Sequence, residues 1–446
     1  MELRRGGVSL PTFSNGLRDT GVQPKEKRAG DSGREKGGDM AEYDDPLTLF
    51  RMPWSSSDNA MSWLEPTRRC NITCDACFAS NDPTSEKPLD VIEAELEAIL
   101  KLRRSDGIFI AGGEPLTHPG IVEVVRMVAA RRLKPVLVTN AVGLTPAFLA
   151  DLKKAGLFGF TFHVDSHQSR PGWKGKSEKE LNVLRQQLAD MVHDEGGMTC
   201  GYNVTVFPDT LCDVPDIVAW GLANVDRVQS YTLTMLRLVE ADAGFAYYAG
   251  ARKVDVRETV YFSPTPYRRL TSADVRAEIR KVIPDFRLCA FLGGTVRPDA
   301  LKLGLGCRIA TNRESFGNLG PKTMELFQNG HHWFTGRYFA FGRPSLNRKG
   351  RLLFLLGLVD PEVRRAFGRY VRAAFRDPRI LARRLYVQTI NVEQPFDILP
   401  DGEQDHCDGC PNKTLWQDRL ISACLLEGYM RYGMSVVAVP IKPAEG

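Results

Sequence analysis

The sequence predicts an α/β protein built on a parallel sheet, and three observations lead there. Short apolar segments alternate with longer amphipathic ones between residues 61 and 235. The amphipathic stretches carry apolar residues at three- and four-residue steps, the period of a helix with one buried face. Two clusters of chemically distinctive residues directly follow the first two apolar segments, at the strand ends where parallel α/β sheets collect their functional groups.

In order, strands are expected at 61–65, 107–111, 135–139, 158–164, 198–206 and 227–235. Helices are expected at 88–102, 119–132, 146–155, 177–192 and 214–221. Leu89, Ile92, Leu96, Ile99 and Leu100 show the helical step most plainly. Six strand–helix units in a row argue for a parallel sheet, and six are too few for a complete eight-fold barrel. Residues 1–39, rich in Gly, Lys, Arg and Asp without a hydrophobic period, read as a disordered extension. Met40 is an alternative start, and 40–60 a lead-in. The sheet unit covers 61–236, and 237–446 reads as a C-terminal extension.

Composition excludes several classes. Ten cysteines in 446 residues are too sparse for a secreted disulfide scaffold, so clustered cysteines point to metal binding in a reducing compartment. The first ten residues lack the apolar core of a signal peptide. The longest apolar run, 352–359, is under half of a membrane span of about 18 residues. A net charge of +5 is too mild to argue for nucleic acid.

The first reactive cluster is Cys70-Asn-Ile-Thr-Cys74-Asp-Ala-Cys77. Three thiolates at this spacing can hold three irons of a 4Fe–4S cubane and leave the fourth iron open for chemistry. Structural zinc competes but normally wants four ligands. The second cluster is Ala111-Gly-Gly-Glu-Pro115, where Gly112 and Gly113 permit close backbone approach and Pro115 fixes the turn. The fourth strand ends in His163-Val-Asp-Ser-His-Gln168 and Arg170, a dense polar set for the end of a strand. Near the C-terminus, Cys407-Asp-Gly-Cys410 and then Cys424 suggest a second metal site. It needs one more ligand, with Cys289 preferred and Cys307 or His406 as alternatives. A 4Fe–4S cluster is preferred there over zinc. Cys200 and Cys212 read as ordinary thiols.

Together, Cys-x3-Cys-x2-Cys and Gly-Gly-Glu-Pro about thirty-five residues on resemble the signatures of the radical S-adenosylmethionine superfamily. The resemblance implies an open, partial (β/α)6 barrel of TIM type with a C-terminal α+β extension carrying an auxiliary cluster. It implies a cluster on Cys70, Cys74 and Cys77 whose open iron binds S-adenosylmethionine. Gly112, Gly113 and Glu114 would accept from the ligand's ammonium, beside Pro115. Asp165 and Ser166 would contact its ribose or carboxylate, and Asn203, inside the fifth strand, its nucleoside. A flavodoxin or ferredoxin would supply electrons. One departure is Ala76, where the family often has an aromatic residue before the third cysteine.

More narrowly, His163-Val-Asp-Ser-His-Gln with a closing Cys-Asp-Gly-Cys-Pro resembles the tetraether lipid synthase-like branch, which implies hydrogen abstraction from a lipid chain. The alternatives are modification of a peptide, whose enzymes usually show longer cysteine arrays, or of a small molecule, and an iron–sulfur electron-transfer protein without a substrate. One further feature bears on the choice. Arg364, Arg365, Arg369, Arg372, Arg376, Arg379, Arg383 and Arg384 interleave with apolar residues, broken at Pro378. This is a basic amphipathic pattern suited to an anionic membrane surface, or otherwise a solvated face. The expected location is cytoplasmic, with peripheral contact to the inner membrane surface and no nucleic acid.

Overall fold

The computed structural model describes residues 45–240 and 243–441; the reading of 1–39 as disordered falls outside them, as do the first residues of the lead-in. Six parallel strands appear in chain order: β1 (Met61–Thr67), β2 (Gly107–Gly112), β3 (Lys134–Thr139), β4 (Gly159–His163), β5 (Thr199–Val206) and β6 (Ser230–Met235). Each pairs with the next. Between them lie α1 (Leu89–Leu102), α2 (Ile121–Ala130), α3 (Pro146–Lys154), α4 (Glu178–Glu195) and α5 (Val214–Ala223). Local chemistry sets the helix starts. Thr145 caps α3, and Ser177 with Glu180 forms a reciprocal capping box on α4, satisfying backbone donors that a first turn leaves unpaired.

The extension, read from sequence as following the barrel, enters the same sheet. Strand β7 (Leu303–Ala310) runs antiparallel to β8 (Tyr386–Glu393), and β8 pairs in parallel with β6. The barrel thus has a seventh parallel strand, placing Val392 beside Leu233 and Glu393 beside Thr234. The sheet continues past β7 through Ala290–Leu292 to Phe50–Arg51. The longer helices that follow are α6 (Ser272–Val282), α7 (Pro321–Thr335), α8 (Pro361–Arg376) and α9 (Ala423–Tyr432).

Strand alternation explains how one sheet builds both a core and a cavity. Leu64, Ile110, Leu137, Phe162, Leu233 and Val392 share one buried core with the helices. Their neighbours Trp63, Ala111, Val138, Thr161, Thr232 and Glu393 line a cavity of about 630 Å³. Strands β1 and β8 lie at opposite ends of the parallel array yet face the same cavity. The sheet therefore curls around it as a partial barrel.

Candidate active site

The cysteine loop leaves β1 and is braced on three sides. On one side Gly113 N–H donates to Thr67 O (3.0 Å) and Glu114 N–H to Arg69 O (2.8 Å). On another, Asp75 N–H donates to His167 O (2.9 Å) and Ser169 N–H to Thr73 O (2.8 Å), with a bridge pairing Cys74 and Gln168. On the third, Glu427 of α9 accepts from Arg68 (2.5 Å) and from the hydroxyl of Ser80 (3.1 Å). Cys70, Cys74 and Cys77 all line the cavity. The turn between the last two passes through Ala76 at φ 57°, a left-handed conformation that is uncommon for alanine.

The glycines of Gly-Gly-Glu-Pro are required by the chain itself. A Cβ on Gly112 (φ +119°) would lie 2.1 Å from Thr67 O, and one on Gly113 2.5 Å from Arg68 O and Arg69 O. The turn and the start of the cysteine loop are thus packed backbone against backbone. Both glycines still line the cavity. Pro115 is buried and opens a single 3-10 turn, with Glu114 as its cap.

Glu114 lines the cavity, and the protein also binds its carboxylate. Its carboxylate accepts from Leu116 N–H (3.0 Å), Thr139 Oγ1 (2.6 Å) and Asn140 N–H (2.7 Å). Both oxygens are therefore engaged by the protein, joining the turn to the end of β3. Burial pushes this carboxyl up, and the Thr139, Leu116 and Asn140 donors only partly offset it. Glu114 thus positions the turn as well as bordering the cavity. Glu114→Gln can accept at one end only and turns an amide N–H towards Asn140 N–H. It should lower stability by about 1–3 kcal/mol, the cost of an unsatisfied buried donor, checked by denaturant unfolding.

The β4 end divides into roles. Asp165 is buried, with Oδ2 2.8 Å from His163 Nε2. Burial pushes its carboxyl up, but His163 and the Thr205 N–H more than reverse this and hold it below the ordinary range. His163, Asp165, Gln168 and Asn203 line the cavity. Asn203 Oδ1 accepts from Thr234 Oγ1 (2.9 Å), and its amide nitrogen has no partner among the described residues. Ser166 is not among the cavity-lining residues, and its backbone N–H donates to Glu178 (2.6 Å). Arg170 and His167 act on the framework. Arg170 donates to Asn140 O (2.5 Å) and His163 O (3.1 Å), and His167 stacks on Phe207 at 3.6 Å.

Cys407, Cys410 and Cys424 line the same cavity as the first three thiols. Cys289 does not, which corrects the preferred fourth ligand. It is fully buried, donates to Leu305 O (3.2 Å), and shares a separate apolar core with Cys307, Ile309 and Phe316. Cys307 is excluded with it. His406 remains at the cavity, with Nδ1 unpartnered; burial and the nearby Lys302 lower its pKa to about 4.

Two features escaped sequence reading. Glu393 lines the cavity with Thr234 as its hydrogen-bond partner (3.0 Å), and burial pushes its carboxyl up. The β-branched and aromatic run at 386–392 is a strand signal, but its pairing with β6 spans some 150 residues. The other is Lys302, fully buried between Asp397 (2.7 Å) and Asp405 (3.4 Å).

The residues present fit an iron–sulfur cluster at the first site. Three thiols on one braced loop open into a cavity, and Asn140 Nδ2 lies 3.9 Å from Cys70 Sγ, the kind of sulfur contact that tunes such clusters. Among the described residues no three His, Cys, Asp or Glu side chains are grouped to hold a bare metal ion. At the second site the three thiols face the cavity, with Glu393 and His406 as the other donor groups there.

A partial parallel barrel with this loop at its strand ends defines the class. Residues 64–221 match the family described as the Radical SAM superfamily. Those residues, about a third of the chain, carry a radical SAM domain. The chain is similar to an AdoMet-dependent heme synthase of Methanosarcina barkeri, 28% identical over 143 residues, covering 30% of this chain and 40% of that protein. It is also similar to a GTP 3′,8-cyclase of Chlorobaculum tepidum, 36% identical over 102 residues, covering 22% and 31%. The chain thus spans well under half the length of these curated relatives. Among solved structures, SuiB of Streptococcus suis bound to S-adenosylmethionine aligns with a TM-score of 0.37 at 14% identity, over 51% of this chain and 48% of that one.

Proposed function

We propose that this enzyme cleaves S-adenosylmethionine reductively and abstracts hydrogen from an unactivated carbon of a substrate held between two cysteine groups. One observation carries the reading: a single cavity is lined by Cys70, Cys74 and Cys77 and by Cys407, Cys410 and Cys424. A 4Fe–4S cluster on the first three would supply the electron that breaks the sulfonium bond and releases a 5′-deoxyadenosyl radical. The chain's own residues then bind and orient. Gly112 and Gly113 would hold the ligand's amino group, and the Asp165–His163 pair and Asn203 would hold its nucleoside; all five residues line the cavity. A second cluster is proposed on Cys407, Cys410 and Cys424, its fourth position left to Glu393, His406 or the substrate. A small flavodoxin- or ferredoxin-type protein is the proposed electron donor.

For the substrate we favour a lipid chain, coupled or functionalised at carbon. The support is the cavity lining, where Trp63, Phe109, Leu236, Val260, Phe262 and Phe396 present an apolar wall suited to an extended hydrocarbon. The second reading, modification of a small molecule or peptide, is favoured by relatives named for heme and GTP chemistry.

The test is anaerobic reconstitution and reduction. The protein should form 5′-deoxyadenosine and contain about eight iron and eight sulfide per chain. No 5′-deoxyadenosine overturns the reaction and leaves an electron-transfer role. About four iron with zinc present overturns the second cluster alone.

A further inference from the structure

Residues Gly350–Leu358 form a nine-residue 3-10 helix, long for a geometry in which side chains three apart eclipse one another. Leu352, Leu355 and Leu358 therefore stand in one row, and they are 60%, 70% and 89% exposed. This row is not a failed core, because the inward side of the segment is already packed: the Phe354 ring lies 5.2 Å from both Phe367 and Tyr370 of α8. The segment runs against the start of α8, where a Cβ on Gly357 would lie 3.4 Å from Arg364 Cα. Val359, Phe375 and Leu381 add further exposed apolar surface.

The surrounding charge has one sign. Residues 350–385 hold nine arginines against three acidic residues. Arg365, Arg369 and Arg383 are paired with Glu362, Asp285 and Asp377. Arg364, Arg372, Arg376, Arg379 and Arg384 are exposed and form no ion pair among the described residues. Arg364, Arg365, Arg369 and Arg372 also line a shallow hollow of about 440 Å³ on α8. An apolar row flanked by unpaired cations matches an anionic lipid surface, whose acyl boundary takes the leucines and whose headgroups take the guanidiniums. Among the described residues no helix is long and apolar enough to cross a membrane, so contact would be peripheral.

We propose that this face docks the enzyme on an anionic membrane surface through Leu352, Leu355, Leu358 and Phe375, with the unpaired arginines of α8 at the headgroups. The proposal stands apart from the reaction: it holds whatever the substrate, and the cysteine loop takes no part in it.

The full chain is mixed with vesicles of phosphatidylglycerol and phosphatidylcholine, or of phosphatidylcholine alone, and floated at low and high salt. The wild type should float with the anionic vesicles, and release in salt. Leu355→Asp/Leu358→Asp and Arg364→Glu/Arg372→Glu/Arg376→Glu/Arg379→Glu should each reduce flotation at least about tenfold. Their melting temperatures should stay near wild type, because all six side chains are exposed. No flotation at low salt overturns the proposal, as do variants that float like wild type. A dimer by light scattering that the leucine variant converts to monomer, without flotation, assigns the face to a second copy. Retention by single-stranded RNA but not by vesicles assigns it to nucleic acid; either result overturns lipid docking.

Discussion

With Cys74 replaced by alanine, reduced enzyme should form no measurable 5′-deoxyadenosine, at least about a thousandfold below wild type. A cubane with one open iron needs three protein thiolates, and the loop supplies Cys70, Cys74 and Cys77 alone. The fold should survive. Cys74 is only half-buried, and its pairing with Gln168 is through backbone, so the melt should move by less than about 1 kcal/mol. Two control variants separate chemistry from folding. Cys200 is fully buried in the main core, so Cys200→Ala should lose some stability and keep S-adenosylmethionine cleavage. Cys212 is exposed, and Cys212→Ala should change neither. Cleavage by Cys74→Ala near the wild-type rate would remove the first cluster from the account.

Lys302→Met should destabilise the chain by about 3–5 kcal/mol, because it strips the cation from a buried pair of carboxylates. Lys302 is wholly buried against Asp397 and Asp405. Asp405 also accepts from Val296 N–H (2.9 Å) and lies beside Arg297 (3.3 Å). It precedes His406 and Cys407, so this network ties the second cysteine segment to β7. Asp397 in turn binds Arg237 (2.9 Å), just past β6. Iron bound at the second site should therefore fall along with stability.

The pH dependence fixes the cause. Burial pushes both carboxyls up, but Arg237 and Lys302 at Asp397, and Val296 N–H and Lys302 at Asp405, more than reverse it and hold both below the ordinary range. A depressed carboxyl contributes stability above its unfolded value, about 3.9, and loses it as pH falls through the folded value. The difference between wild type and Lys302→Met should thus be largest near neutrality and shrink below about pH 4. Denaturant midpoints across pH 3–7 check this, and a difference that stays constant would assign the loss to packing instead.

Much of the site is legible in the amino-acid sequence because its signals are local. The cysteine spacing is three residues and then two, and Gly-Gly-Glu-Pro is contiguous. The alternation of strand and helix puts both at strand ends, as the sheet confirms. Side-chain direction is what local pattern does not carry. Asp165 lines the cavity and Ser166, one residue on, does not, while its backbone N–H bonds to Glu178. Glu114 looks like a free carboxylate until Thr139 and Asn140, some 25 residues on, are brought to it. Cys289 suits a metal site by composition alone, but strand geometry turns it into an apolar core with Cys307.

The sequence alone determined the radical SAM domain, the alternating strands and helices, and the three thiols on the first loop, since each is written within a few tens of residues. Only the tertiary structure decided that β8 joins the barrel as a seventh strand and that both cysteine groups open into one cavity. It likewise decided that Lys302 joins Asp397 to Asp405. These are contacts between segments about a hundred residues or more apart, set by sheet pairing and burial, and no local pattern encodes which distant partner a side chain will meet.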